Sequence, residues 1–145
     1  MQLNFKAYNF TIKKDKDNAR IFDIVRKKYV VLTPEEWVRQ HVIHYLIEEK
    51  GYGEGLIAVE KAVKYNNLSK RFDVYVANND GSPHILVECK APSVKLSNAT
   101  LQQAGMYLKE LKARYVFITN GIQHLMMERV EDTFTVIADL PQKAN

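Results

Sequence analysis

Cysteine is nearly absent: Cys89 is the only one in 145 residues. That excludes an internal disulfide framework and fits a reducing compartment. Cys89 itself reads as a small buried hydrophobe. Four prolines and six glycines are too few and too scattered to mark a linker, and there is no low-complexity tract or internal repeat. Long hydrophobic runs are missing as well. Nothing approaches the ~20 apolar residues that span a bilayer, and Met1 to Lys6 shows no basic segment leading into an apolar run. The expectation is a soluble, cytoplasmic protein with no membrane partner. No G-x-x-x-x-G-K-[ST] occurs, so an ATP-driven motor does not reside in this sequence. Gly51-Tyr52-Gly53-Glu54-Gly55 follows a helix and lacks the Lys-Ser/Thr of a phosphate loop, so it reads as a plain connection. No zinc-finger pattern or separate recognition helix offers a means of reading bases.

What is present is an ordinary globular composition, 46% hydrophobic and 26% charged. At this length one domain, residues 1–145, buries roughly two thirds of the surface its unfolded form exposes. A net charge of +4 permits an anionic partner such as nucleic acid. Residues 5–12 read as a short strand followed by a polar turn at 13–18, and residues 20–25 as a second strand. Thr33-Pro34-Glu35-Glu36 is a helix start: Thr as N-cap, Pro at the first helical position, and Glu at the third closing a capping box. That helix is expected over 34–50, with Gly51 at its left-handed end. Strands follow at 56–65, 71–76 and 85–90. A second helix over 98–114 carries Leu101, Ala104, Leu108 and Leu111 at helical spacing. Residues 115–119 form a short β-branched run, the mark of a buried central strand, and 123–129 with 133–137 form a last hairpin around Glu131-Asp132. The order is α, three β, α, β, then extra strands. A crossover helix between two strands predicts an α/β fold with a central mixed sheet flanked by helices.

The hairpin between 71 and 90 carries the chemistry. Asp80-Gly81 is a strong two-residue type I′ turn signal. Taken as the loop, it sets Asn79 opposite Ser82, Ala77 opposite His84, Tyr75 opposite Leu86, and Asp73 opposite Glu88. Directly opposed like charges destabilise a sheet, and a divalent cation held between them is one compensation. Strand periodicity adds Lys90 to that face beside Glu88 and turns Cys89 away.

Asp on one strand, Glu-x-Lys on the next and the α-βββ-α-β order resemble the PD-(D/E)XK nuclease superfamily. More narrowly, Val25-Arg26-Lys27-Lys28-Tyr29, Thr33-Pro34-Glu35-Glu36-Trp37-Val38-Arg39-Gln40, Val87-Glu88-Cys89-Lys90-Ala91-Pro92, Gln103-Ala104-Gly105-Met106-Tyr107 and Thr119-Asn120-Gly121 are similar to the N-terminal nuclease domain of type I restriction endonuclease R subunits and its small free-standing relatives. The resemblance covers most of the chain and implies a restriction-endonuclease-like core. It implies Asp73 and Glu88 as metal ligands, Lys90 as catalytic, Gln103 and Tyr107 beside the site, and Glu36 or Glu35 as the acidic residue of the first helix. Phe72 stands where the superfamily name has Pro.

Phosphodiester hydrolysis needs a water activated near neutral pH and a counter-charge on the phosphate oxygens. Asp73, Glu88 and the backbone carbonyl of Cys89 are hard oxygen donors that suit Mg²⁺, which keeps most of its waters and takes one or two carboxylates; Mn²⁺ is expected to substitute. Lys90 orients or deprotonates the water, or stabilises the charged transition state. Gln103 and Tyr107, four residues apart, share a helix face. The expected activity is therefore that of a metal-dependent endonuclease acting on DNA. By analogy with small nucleases of this fold it works as a homodimer, or it cuts beside a separate motor or specificity subunit. The alternative is a non-catalytic module that binds nucleic acid or protein on the same scaffold. His41 and His44 read as core or surface residues rather than a metal pair. Lys13, Lys14, Lys16, Arg26, Lys27 and Lys28 read as solvated faces, and Lys70 and Arg71 as either that or a grip on a DNA backbone.

Overall fold

The computed structural model describes residues 2–65 and 67–144, with the side chains of 65, 68, 103 and 106–109 outside the description. Strands β1 (Ile12–Lys14), β2 (Ala19–Asp23) and β3 (Lys28–Val31) pair antiparallel as a small separate sheet. This part departs from expectation. Residues 5–11 form no strand, Lys13 and Lys14 pair with Arg20 and Ala19, and β3 was not foreseen. The reason lies in where the early aromatic residues go. Phe10 packs its ring 4.7 Å from His41 and 4.9 Å from Trp37, and Phe5 lies 4.6 Å from His124, so these side chains anchor the segment to other elements rather than line a sheet face.

Helix α1 (Pro34–His44) starts where Thr33 and Pro34 place it, the Thr33 hydroxyl accepting from the Glu36 N–H at 3.0 Å. Only this half of the expected capping box forms, because the Glu36 side chain is used elsewhere. The helix continues as a widened π turn, Tyr45–Glu49, and Gly51 follows at φ +77°.

The main sheet holds β4 (Ile57–Tyr65), β5 (Leu68–Ala77), β6 (Pro83–Cys89), β7 (Tyr115–Thr119), β8 (His124–Val130) and β9 (Thr133–Ile137) in sequential order. Every neighbouring pair is antiparallel except β6 and β7. That parallel pair is joined by helix α2 (Asn98–Leu111), capped by Ser97 and ended by Lys112 at φ +52°. The sheet is therefore mixed, as the crossover predicts. α1 packs Val38 and Val42 with Val74, Val87 and Phe117 on one face, while Ala104 and Leu111 of α2 meet Phe72, Leu86 and Ile118 on the other. β7 is buried on both faces and is the central strand expected. Among the described residues no helix is long and apolar enough to cross a membrane.

The β5–β6 connection corrects the turn while keeping the register. Gly81 N–H donates to the Asn78 carbonyl at 2.9 Å and Asn78 N–H to the Ser82 carbonyl at 2.8 Å, and only Gly81 has a positive φ, +88°. This is a three-residue loop with glycine in the left-handed position, not a two-residue type I′ turn. It pairs Ala77 with Pro83 rather than His84, one residue out of the expected register. A bulge between Val76 and Ala77 then absorbs His84, so that Val76 pairs Ile85 and Tyr75 pairs Leu86. The two departures cancel before the chain reaches Val74 and Val87.

Gly121, at φ +90°, leaves no room for a side chain: a Cβ there meets Leu3 Cδ2 at 2.9 Å and Val38 Cγ2 at 3.0 Å. Gly81 has open space around it. Gly121→Ala is expected to cost about 2 kcal/mol or more, adding overpacking to the backbone penalty. Gly81→Ala is expected to cost about 1 kcal/mol from the backbone alone. Urea denaturation of the two variants side by side checks the difference.

Candidate active site

A line of alternating charges runs from the small sheet through α1 to the middle of β5. Asp23, fully buried at the end of β2, accepts from the backbone N–H groups of Val25 and Arg26, each at 2.8 Å. Its other oxygen takes Arg26 Nε at 2.7 Å and Gln40 Nε2 at 2.9 Å. Glu36 receives Arg26 Nη2 at 3.0 Å, Arg39 Nη1 at 2.9 Å and Gln40 Nε2 at 3.1 Å. Arg39 Nη2 then reaches Asp73 Oδ1 at 2.9 Å. Helical spacing explains the convergence: positions 36, 39 and 40 share one face of α1, the face turned to β2 and β5. The hydrogen bonds from Arg26 and Gln40 hold the Asp23 carboxyl below the ordinary carboxylate range despite its burial.

Asp73 is where this line meets the sheet. Its second oxygen accepts the Cys89 N–H at 2.8 Å, so a side chain replaces a strand carbonyl and the β5–β6 ladder ends at Val74 and Val87. On the other side Glu60, opposite Asp73, sits at φ +55° and interrupts the β4–β5 pairing. The distortion turns both carboxylates toward α1, where Glu60 lies 3.6 Å from Arg39 Nη2. Glu35, on the first turn of α1, is also 3.6 Å from Arg39 Nη2. Burial, and then the neighbouring Asp73 carboxylate, push the Glu35 carboxyl above its ordinary value, with Arg39 and Lys90 opposing the shift.

Lys90 continues β6 past its last paired strand residue, its N–H donating to the Thr119 carbonyl at 2.8 Å. Among the described residues its ammonium forms no ion pair, and its charge acts on Glu35. Glu88 goes the other way. It forms an ion pair with Lys70 and lines a small cavity with Phe72, Leu86 and Ala104 on the α2 side. The structure therefore gathers Asp73, Lys90 and Glu35, and holds Glu88 on Lys70 rather than facing Asp73. Strict strand alternation put both carboxylates on one face; the interrupted ladder at Asp73 separates them.

Of the two acidic candidates on α1, Glu35 adjoins Asp73, whereas Glu36 is enclosed by Arg26, Arg39 and Gln40. The side chains of Gln103 and Tyr107 lie outside the described residues. Arg26, read as a solvated cation, belongs to the buried line of charges, and Lys70, left open between a solvated face and a DNA grip, is Glu88's partner. His41 and His44 stack among Phe10, Tyr8 and Trp37, which supports the core reading. Burial pushes the Cys89 thiol well up, as suits an inert core residue. Asp23, Arg39 and Gln40 were missed. The i, i+3 and i, i+4 spacing of Glu36, Arg39 and Gln40 was visible, but nothing local said that this face would be buried.

Among the described residues no three His, Cys, Asp or Glu side chains already form a ligand cluster. The donors nonetheless suit a hard divalent ion: Asp73 and Glu35 are carboxylate oxygen donors beside one another. The Glu35 carboxyl is raised first by its burial and then by the Asp73 carboxylate beside it.

Two stability measurements test this electrostatic picture. Arg39→Leu takes the guanidinium partner from Asp73 and one of two from Glu36, and is expected to cost about 3 kcal/mol in urea denaturation. For Glu35 the sign runs as for any acid whose folded-state pKa is raised: its contribution is present below the ordinary carboxylate range and is lost as pH rises through the raised value. Glu35→Gln removes that loss, so its stability in urea denaturation relative to wild type should climb as pH rises from the ordinary carboxylate range, about pH 4, through the raised value, by about 0.5 kcal/mol for so exposed a group.

Residues 34–141 match the family described as the type I restriction enzyme R protein N terminus. The fold is similar to the fragment structure assigned as the HsdR subunit of a type I restriction enzyme from Vibrio vulnificus YJ016, at 20% identity and a TM-score of 0.54, covering 77% of this chain and 24% of that one. The chain thus spans about a quarter of the length of that solved chain. A looser likeness, TM-score 0.44 at 10% identity over 88% of this chain and 80% of the other, is to a nuclease assigned to DUF820 from Anabaena variabilis ATCC 29413. No curated protein matches the chain. The family match takes in both helices, the whole main sheet and every residue gathered around Asp73; the chain belongs to the type I restriction enzyme R protein N-terminus family.

Proposed function

We propose that this chain is a metal-dependent nuclease that hydrolyses phosphodiester bonds in DNA, with Asp73, Glu35 and Lys90 at its centre. The observation that carries the reading is the Glu35 carboxyl beside Asp73, with a lysine ammonium that no described carboxylate neutralises acting on the same spot. Two acids in contact would favour a cation, and an unneutralised lysine beside them would favour a phosphate.

Mg²⁺ or Mn²⁺ held by Asp73, Glu35 or Glu88 and the Cys89 carbonyl would lower the pKa of an attacking water and offset charge on the phosphate oxygens. The protein's own groups do the rest. Arg39 and the Cys89 N–H fix both Asp73 oxygens, so the carboxylate is oriented before any ligand arrives. Lys90 offers its ammonium to a non-bridging phosphate oxygen, where charge builds as the water oxygen bonds to phosphorus and the bond to the leaving sugar oxygen breaks. Where Glu35 does not itself hold the ion, it is the carboxylate beside Asp73 that would accept the water's proton. Glu88 would have to exchange Lys70 for the metal, and Lys70 would then be released to the DNA backbone. ATP-driven movement and sequence choice, if this chain takes part in them, would come from separate motor or specificity subunits, and a homodimer would supply two cutting sites.

Labelled linear, circular and single-stranded DNA incubated with Mg²⁺ or Mn²⁺ should be cut by wild type. Cutting should stop in EDTA and fall about a hundred-fold or more in Asp73→Asn and in Lys90→Ala. Activity that survives EDTA and both substitutions would mean a contaminating enzyme. No cleavage together with no metal binding would favour the non-catalytic module.

A further inference from the structure

A cavity of about 470 Å³ opens beside the candidate active site, lined by Ile12, Leu32, Pro34, Trp37 and Pro92 with Ser93 among its walls. Its walls come from four separate parts of the chain: the edge strand β1, the β3–α1 connection, the first turn of α1 and the loop after β6. Pro34 immediately precedes Glu35, and two residues of chain, at most about 7 Å, separate Pro92 from Lys90. Several backbone bonds hold the walls in place. Leu32 N–H bonds the Ala19 carbonyl at 2.9 Å and Val94 N–H the Ala91 carbonyl at 2.9 Å, while Asn120 Nδ2 holds the Val94 carbonyl at 2.8 Å.

The lining is an indole, two pyrrolidine rings and aliphatic carbon, with Thr33 and Ser93 beside them. Lys14, one strand period from Ile12, shares its side of the exposed edge strand β1, while the Lys13 ammonium sits 4.1 Å from the centroid of the Tyr29 ring; Lys90 lies two residues before Pro92. A flat apolar group attached to an anion fits this arrangement. We propose that the cavity receives one unstacked nucleobase of a single DNA strand, whose phosphates run between Lys14 and Lys90. This inference rests on the nuclease reading and gives it a substrate class. A base inside an intact duplex cannot enter such a cavity without leaving its stack, which costs free energy that a single strand or an open end does not pay. The preferred substrate is therefore single-stranded DNA or duplex with unpaired nucleotides.

Trp37 is the sole tryptophan of the chain, so its fluorescence reports on this cavity alone. The full chain in EDTA, where it does not cut, is titrated with a short oligothymidylate, with the same length of tetrahydrofuran abasic strand, and with a relaxed, covalently closed duplex circle that has no unpaired nucleotides. Saturable quenching by the oligothymidylate is expected, with binding about ten-fold weaker for the abasic strand and no quenching by the closed duplex. Ile12→Glu, at a position 48% exposed on an edge strand and so no threat to folding, should weaken the oligothymidylate about ten-fold too. Equal quenching by base-bearing and abasic strands, quenching by the closed duplex, or none at all would overturn the proposal. Cleavage in Mg²⁺ is scored separately: a closed duplex that is cut while the single strand leaves Trp37 unquenched sinks the cavity assignment and spares the nuclease.

Discussion

The ion pair between Arg39 and Asp73 is the contact on which the rest of this molecule turns. One guanidinium, 6% exposed, stands between Glu36 on its own helix and Asp73 on the sheet. A charge so buried is tolerable only when paired and hydrogen-bonded, and each pairing ties two elements together. Through Glu36 it reaches Arg26 and Asp23, so the small sheet is fixed to α1. Through Asp73 it reaches the Cys89 N–H, so α1 is fixed to the end of β6.

The same pairing sets the chemistry of the site. Arg39 satisfies one oxygen of Asp73 and a backbone N–H satisfies the other, which leaves the carboxylate oriented yet surrounded by further acids. Glu35 and Glu60 both approach the same guanidinium, one charge shared among several carboxylates. The imbalance surfaces in Glu35, whose carboxyl is raised by burial and by Asp73. An arrangement that gathers negative charge this way is less stable than it need be. The interruption of the sheet at Glu60 and Asp73 makes it possible, since an unbroken ladder would have turned these side chains away from α1.

Much of this was legible beforehand, for local reasons. Thr33-Pro34 begins α1 because a hydroxyl cap and a missing N–H suit a helix start wherever it lies. The 115–119 run is β7, buried on both faces, because β-branched residues without polar alternation fit nowhere else. The Tyr75–Leu86 register came out as expected although the turn did not. A three-residue loop shifted the pairing and the His84 bulge restored it, and neither could be weighed from the Asp-Gly pair alone. The early aromatic residues misled because Phe5, Tyr8 and Phe10 look like strand residues in sequence, while in the fold they clamp an irregular segment onto α1.

The sequence alone determined the family, the order of the elements from α1 onward and the mixed sheet, because these depend on propensity, periodicity and short motifs. Tertiary structure decided which charges meet. Strand alternation assigned Asp73 and Glu88 to one face, but a carboxylate goes where its partners are, and those partners, Arg39 on a helix 34 residues away and the Cys89 N–H across the hairpin, exist only once the chain has folded. Glu35 and Glu36 are adjacent in sequence and equal in chemistry. Helix geometry sends one to the open end of the site and buries the other among guanidinium groups, and no local rule distinguishes them.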